Sequence, residues 1–195
     1  KAVRDGTTMA DSSRRGHGGF WVNNTPYLMF YPDADGDDVP DRDPEVRLAG
    51  FGLEDTHSAA NGLTWGPDGW LYGVQGSTTT CHVTPPGIDP PGSEGVYFEG
   101  CFVWRYQPET KAFEIFAEGG GNSFGLEFDA EGRLYCGHNG GTTRAWHFVQ
   151  EGIYLMQGKE PGKFGPPHNP YVFEEMPLTK SANTIARFTH NTIVA

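Results

Sequence analysis

Residues 61–72, NGLTWGPDGWLY, and residues 124–135, FGLEFDAEGRLY, write one pattern twice, offset by 63 residues. Gly62 matches Gly125, Leu63 matches Leu126, Gly69 matches Gly132, and Leu71-Tyr72 match Leu134-Tyr135. Trp65 and Phe128 fill the same aromatic position. Each copy has two alternating apolar runs joined by a turn, GPDG or DAEG, that ends in glycine. Period-two alternation marks a half-buried strand, and glycine supplies the positive φ that a hairpin turn needs. A hairpin recurring at a long period predicts an array of small sheets that bury their faces against one another.

The pattern extends outward from the hairpins. VWRY (103–106) and FEIFAEG (113–119) follow the first copy as a second hairpin. LMFY (28–31) and EVRLAG (45–50) stand ahead of it in the same relation, and Glu45, Val46 and Gly50 echo Glu114, Ile115 and Gly119. Two hairpins per unit make four antiparallel strands, one blade of a β-propeller. The expected fold is therefore all-β, an open arc of about two and a half to three propeller blades. The expected division is an N-terminal segment (1–19), the outer half of a blade with an acidic loop (20–55) and a complete blade (56–120). The next blade (121–187) has an irregular Gly/Pro-rich second half, and 188–195 starts a further strand. A β-sandwich is the rival, disfavoured by the repeat. A Lys start and a strand-like NTIVA end suggest a piece of a longer protein.

Composition agrees with many short strands and turns. Gly (28) and Pro (15) make up about a fifth of the chain, and no long segment has helical apolar spacing. No apolar run reaches the length of a membrane helix. The formal charge is −11, and nearly half of it lies in residues 33–43, where six Asp stand against one Arg. With no basic stripe, a nucleic-acid partner is excluded. Arg14, Arg15 and His17 read as a basic, flexible terminus. Cys81 and Cys101 flank HVTPPGIDPPGSEGVYFEG. A disulfide there would stabilise the loop by about 3 kcal/mol; two free thiols are the alternative. Cys136, in a strand, reads as a small buried apolar residue.

Three stretches offer chemistry. In DADGDDVPD (33–41), Asp33, Asp35, Asp37 and Asp41 alternate, with the Val39 carbonyl between the last two. Hard oxygen ligands at this spacing wrap Ca²⁺, and the close carboxylates need a cation. A solvated acidic turn is the alternative. In LEDTHSAANGL (53–63), His57 stands just ahead of an inner strand, where it serves as a general base with Asp55 orienting it; capping of the strand start is the alternative. In EGGGNSFGL (118–126), Asn122 stands at the matching place of the next unit, and the strand exits bring Gln75 and His138. Turn chemistry is the alternative for all three. Signatures for phosphate loops, serine hydrolases and zinc proteases are absent.

Three stretches carry a resemblance: GGFWVNNTPYLMFYPDADGDDVPD, GFGLEDTHSAANGLTWGPDGWLYG and VWRYQPETKAFEIFAEGGGNSFGLEFDAEGRLYCGHNGG. The chain resembles the propeller of soluble quinoprotein glucose and aldose-sugar dehydrogenases. It is more similar still to the large membrane-bound dehydrogenases of planctomycete and verrucomicrobial bacteria. The resemblance implies His57 as the base that takes the substrate's hydroxyl proton while hydride passes to pyrroloquinoline quinone (PQQ). It implies a quinone contact at Asn122. Where those enzymes have an Arg beside that Asn, this chain has Gly121, which removes a bidentate clamp for the quinone's anionic groups. It also implies an exported or periplasmic protein. Electrons would pass to a c-type cytochrome, or to haem c on a domain outside these residues.

The function expected is thus sugar or polyol oxidation, with Asp55 and His57 catalytic and Asn122, Gln75 and His138 around a cofactor. The alternatives are a non-catalytic, Ca²⁺-stabilised propeller that binds carbohydrate or protein, and a lactonase-type hydrolase using Glu54, Asn61 and Asn122.

Overall fold

The alternating runs fold as strands in chain order. The computed structural model describes residues 10–86, 95–139, 145–156 and 172–173. One antiparallel sheet holds β1 (Ala10–Arg15), β2 (Gly19–Asn24), β3 (Tyr27–Pro32) and β4 (Glu45–Ala49), in that order. A second begins with β5 (Asn61–Trp65) and β6 (Leu71–Gln75). A separate hairpin of β7 (Thr80–Val83) and β8 (Val96–Glu99) intervenes, and β9 (Phe102–Tyr106) and β10 (Phe113–Gly120) then complete four antiparallel neighbours. The third sheet is β11 (Asn122–Phe128), β12 (Leu134–Asn139) and β13 (Ala145–Phe148). β14 (Gly152–Met156) lies parallel to β10, and β15 (Val172–Phe173) parallel to β14. No helix occurs among the described residues, so the described fold is all-β with several antiparallel sheets.

The repeated turns are built alike. Gly69 and Gly132 have φ of +79° and +78°. Each amide returns to the first residue of its turn, Gly69 to the Gly66 carbonyl and Gly132 to the Asp129 carbonyl, both at 3.0 Å. A side chain at either position would strain the backbone.

Apolar faces of the sheets meet in two cores. Trp21, Leu28, Phe30 and Leu48 of the first sheet pack with Leu63, Leu71, Trp104 and Tyr106 of the second. Tyr72, Val74, Val103 and Phe116, also of the second sheet, pack with Leu126, Leu134, Cys136, Trp146 and Phe148 of the third. The second sheet is thus buried on both sides. The strands β1, β5 and β11 lie beside one another, with β5 in contact with both others. A Cβ on Gly62 would stand 3.4 Å from the Gly125 backbone, so the two strands pass within van der Waals contact of each other there. All three strands carry an extra residue near their start: Asp11 in β1, the Gly62 stretch in β5 and Gly125 in β11.

Two expectations need correcting, and one open alternative is decided. The first sheet is not half a unit beginning at residue 20: Ala10–Arg15 is its first strand. Ala10–Arg15 has no large apolar residue, and the ladder to β2, with Ser12 opposite Asn23 and Arg14 opposite Trp21, defines it. Arg14 and Arg15 are therefore not a flexible terminus. Arg14 pairs with Glu127 at 2.8 Å, and the His17 ring lies 4.5 Å from that of Trp65. Second, β14 does not extend the third sheet but covers the outer edge of the second, which an unpaired β10 would leave open. The β7–β8 hairpin does similar work at the first sheet, where Ala49 and Thr84 exchange two backbone hydrogen bonds of 2.9 Å. Of the two readings open for Cys81 and Cys101, the structure has the thiols: both are buried and not joined to each other. The hairpin closes that loop by pairing Cys81 with Phe98, and the Cys101 thiol donates to the Gly121 carbonyl at 2.8 Å. Cys136 is buried as expected, and burial pushes its thiol, like that of Cys81, up to about 12. The Gly/Pro-rich stretch at 158–170 and the strand expected at 188–195 lie outside the described residues.

Candidate functional site

Antiparallel pairing sorts the loops to two ends of the strands. At one end, the chain leaves β4 at Ala49 and runs through Leu53–Ala60 into β5. Asp55 is the hub of this loop. Its Oδ1 accepts the His57 amide at 2.9 Å, and its Oδ2 accepts the hydroxyls of Thr78 at 2.6 Å and Ser58 at 3.2 Å. The Thr78 hydrogen bond, first among these, holds the Asp55 carboxyl below the usual carboxylate range. His57 projects into solvent with its side chain 91% exposed, and its Nδ1 lies 3.6 Å from Asp55 Oδ1. The imidazole is free to meet a ligand, with a carboxylate behind it.

Asn122 does different work from that expected. Its Nδ2 donates to the His57 carbonyl at 2.9 Å, and its Oδ1 accepts the Ser58 hydroxyl at 3.1 Å and the Ser77 amide at 3.2 Å. The residue is buried, and its amide ties the loops around β5 and β6 to the start of β11. Gln75 is also withdrawn from solvent. Its Nε2 donates to the carbonyls of Thr79 and Gly100, at 2.8 and 3.2 Å, while its Oε1 is buried without a partner among the described residues. His138 pairs through its backbone with Ser123; its side chain lies outside the described residues. Of the four expected residues whose side chains are described, Asp55, His57 and Asn122 come together, and the His57 ring is presented outward. Asn61, weighed for a hydrolase, donates to the Ala59 and Ser123 carbonyls from a buried position.

The sequence offered no sign of Asp11. It stands near the start of β1, at the same end as His57, since Ala10 pairs with Asn24 and Tyr27 with Ala49. Solvent reaches its carboxyl, yet the surrounding protein pushes it up to about 6. Only the register with β2 shows that Asp11 shares a place with Gly62 and Gly125.

The acidic loop lies at the opposite end, following β3. Asp33, Asp35 and Asp37 gather carboxylate oxygens within 4.8 Å of one another. Asp41 instead accepts the Ala34 amide at 2.8 Å, and Val39 is exposed. A cation is already supplied from β1. Arg15 reaches Asp33 Oδ2 at 3.2 Å and Asp38 at 2.7 Å. Asp33 is buried, and its Oδ1 also accepts the Gly36 and Asp37 amides, at 3.0 and 3.1 Å. The loop is thus held by Arg15 and backbone amides, and Asp35 and Asp37 are the more exposed carboxylates beside them.

A family model described as a domain of unknown function (DUF7133) matches residues 5–192, and the chain belongs to that family. No curated protein matches it.

Proposed function

We propose that this member of the DUF7133 family is part of an exported β-propeller dehydrogenase acting on a sugar or polyol hydroxyl. The observation that carries this reading is the exposed His57 imidazole beside the Asp55 carboxylate, at the start of a strand flanked by its counterparts from two other sheets. Three sheets with side-by-side first strands and similarly placed bulges fit blades of a propeller. In this reading His57 takes the proton from a substrate hydroxyl, and Asp55 stabilises the imidazolium that results. The hydride lost by the substrate carbon would pass to a two-electron organic acceptor held outside the described residues, and a c-type cytochrome would reoxidise that acceptor one electron at a time.

PQQ does not fit the residues present at this end. The Asn122 amide is engaged on both its oxygen and its nitrogen by protein groups, and Gly121 offers no guanidinium. No step is therefore derived through a quinone. For Ca²⁺ the fit is closer, because Asp33, Asp35 and Asp37 converge. They would hold the ion as a structural cation, far along the strands from His57.

The engaged Asn122 favours a second reading, a non-catalytic propeller that binds carbohydrate. Dye reduction with a sugar and polyol panel, with and without PQQ and Ca²⁺, separates the two. Turnover that disappears in His57→Ala supports the dehydrogenase. Sugar binding by calorimetry without turnover under any of these conditions supports the binding propeller.

A further inference from the structure

The Asp55–His57 pair sits in a closed ring of hydrogen bonds drawn from three places in the fold. The His57 amide donates to Asp55 Oδ1 at 2.9 Å, and the His57 carbonyl accepts Asn122 Nδ2 at 2.9 Å. Asn122 Oδ1 accepts the Ser58 hydroxyl at 3.1 Å, and the Ser58 and Thr78 hydroxyl oxygens lie 3.0 Å apart. The Thr78 hydroxyl meets Asp55 Oδ2 at 2.6 Å and closes the ring. Asp55, His57 and Ser58 belong to the loop before β5, Thr78 to the loop between β6 and β7, and Asn122 to the start of β11.

Each hydroxyl has one hydrogen to give. The Thr78–Asp55 contact is the shortest in the ring, and 2.6 Å is the separation of a hydroxyl from a charged oxygen. The Thr78 hydrogen therefore goes to the carboxylate. Ser58 stands farther from Asp55 Oδ2, at 3.2 Å, and closer to Asn122 Oδ1 and the Thr78 oxygen. Oδ2 thus depends on Thr78, and Oδ1 is left to His57, whose Nδ1 lies 3.6 Å from it. No Lys or Arg pairs with Asp55 among the described residues. The neighbouring carboxylate, Glu54, accepts the Thr80 amide at 3.2 Å, and residues 76–79 bring no titratable group.

We propose that Thr78 is a positioning residue for the His57–Asp55 pair: its hydroxyl holds Asp55 Oδ2 and so keeps Oδ1 turned to His57. The inference rests on the reading of that pair as a base and its carboxylate. It adds the residue through which the loop after β6 governs the pair without touching the imidazole.

The test compares wild type, Thr78→Val and Thr78→Ser in the whole protein. It follows the Asp55 carboxyl by ¹³C NMR titration and the His57 amide by hydrogen exchange. In wild type the carboxyl should titrate below the ordinary carboxylate range. Thr78→Val keeps the branched shape and removes the hydroxyl, so the midpoint should rise. The His57 amide should then exchange about tenfold faster, the loss of one charge-assisted hydrogen bond from the ring. Thr78→Ser keeps the hydroxyl and should restore both. In dye reduction on polyols, Thr78→Val should lose about tenfold in kcat with KM unchanged, and Thr78→Ser should recover it. An unchanged Asp55 midpoint in Thr78→Val would overturn the inference, as would equal shifts in the Val and Ser variants. Full turnover by Thr78→Val would overturn it too and leave the dehydrogenase reading standing. A wild type that turns over no polyol, with titration and exchange as expected, would end that reading and leave the hold on Asp55 intact.

Discussion

The His57 end and the acidic-loop end of the strands hold their loops by opposite means. At the first, buried neutral groups back up the Asp55 carboxylate without any ion pair to a Lys or Arg among the described residues: Asn122 alone meets Ser58, Ser77 and His57, and Thr79 donates to the Ser58 carbonyl at 3.0 Å. At the second, the ties are charged: Arg15 on Asp33 and Asp38, and Arg42 on Glu45 at 2.5 Å. Neutral buried hydrogen bonds are insensitive to salt and expensive to break. Exposed ion pairs are screened and contribute little. A rigid frame that leaves one imidazole outside suits ligand chemistry, whereas a charge-balanced loop suits a structural cation.

The largest effect should come from the rigid end. Asn122→Ala strands the Ser77 amide and the His57 carbonyl, and should destabilise the protein by about 3 kcal/mol in urea unfolding. A loss below about 1 kcal/mol would erase the contrast between the two ends. Next, Asp33→Ala removes two amide partners and the Arg15 contact, for a loss of about 2 kcal/mol. Part of that loss should vanish when wild type and variant are compared in 1 M salt (roughly a 3 Å screening length), whereas the Asn122→Ala loss should not change.

The turns offer a sharper control. Gly69→Ala and Gly132→Ala put a side chain at φ near +79° and +78°, and each should cost about 1 kcal/mol. Equal losses would support the equivalence of the two hairpins; a much smaller one at either site would break it.

The smallest effect is a matter of pH. Asp55 has its folded value depressed, so its contribution is present above the ordinary carboxylate range. It is lost as pH falls through the lower folded value. Asp11 works in the other direction. Its folded value is raised to about 6, so its penalty is full above that pH and disappears as pH falls toward the ordinary carboxylate value. Asp11→Asn should therefore stabilise the protein at pH 7 by under about 1 kcal/mol, because solvent screens the group, and should have no such effect at pH 4. Thermal midpoints at the two pH values check both the sign and the window.

Much of this architecture is legible in the chain, and the illegible parts have physical causes. The hairpins around Gly69 and Gly132 announce themselves because apolar alternation and turn glycines coincide. β1 does not, because SSRR has no apolar period and its strand character comes from pairing with β2. The partner of β14 was equally hidden: parallel pairing across a sheet edge leaves no local mark. At the candidate site, His57 and Asp55 are visible as residues near a strand start. That Asn122 is turned inward is not visible, since only the folded loops bring Ser58 and Ser77 to its amide. Asp11 becomes visible only when three strands are aligned by register.

Steady-state dye reduction on polyols by His57→Ala and Asp35→Asn, measured side by side, tests the division of labour most directly. His57→Ala should lose about a hundredfold or more in rate with an unchanged thermal midpoint. Asp35→Asn should keep its rate and lose Ca²⁺-dependent stabilisation. Equal losses of rate in the two variants, or a His57→Ala protein as fast as wild type, would contradict it.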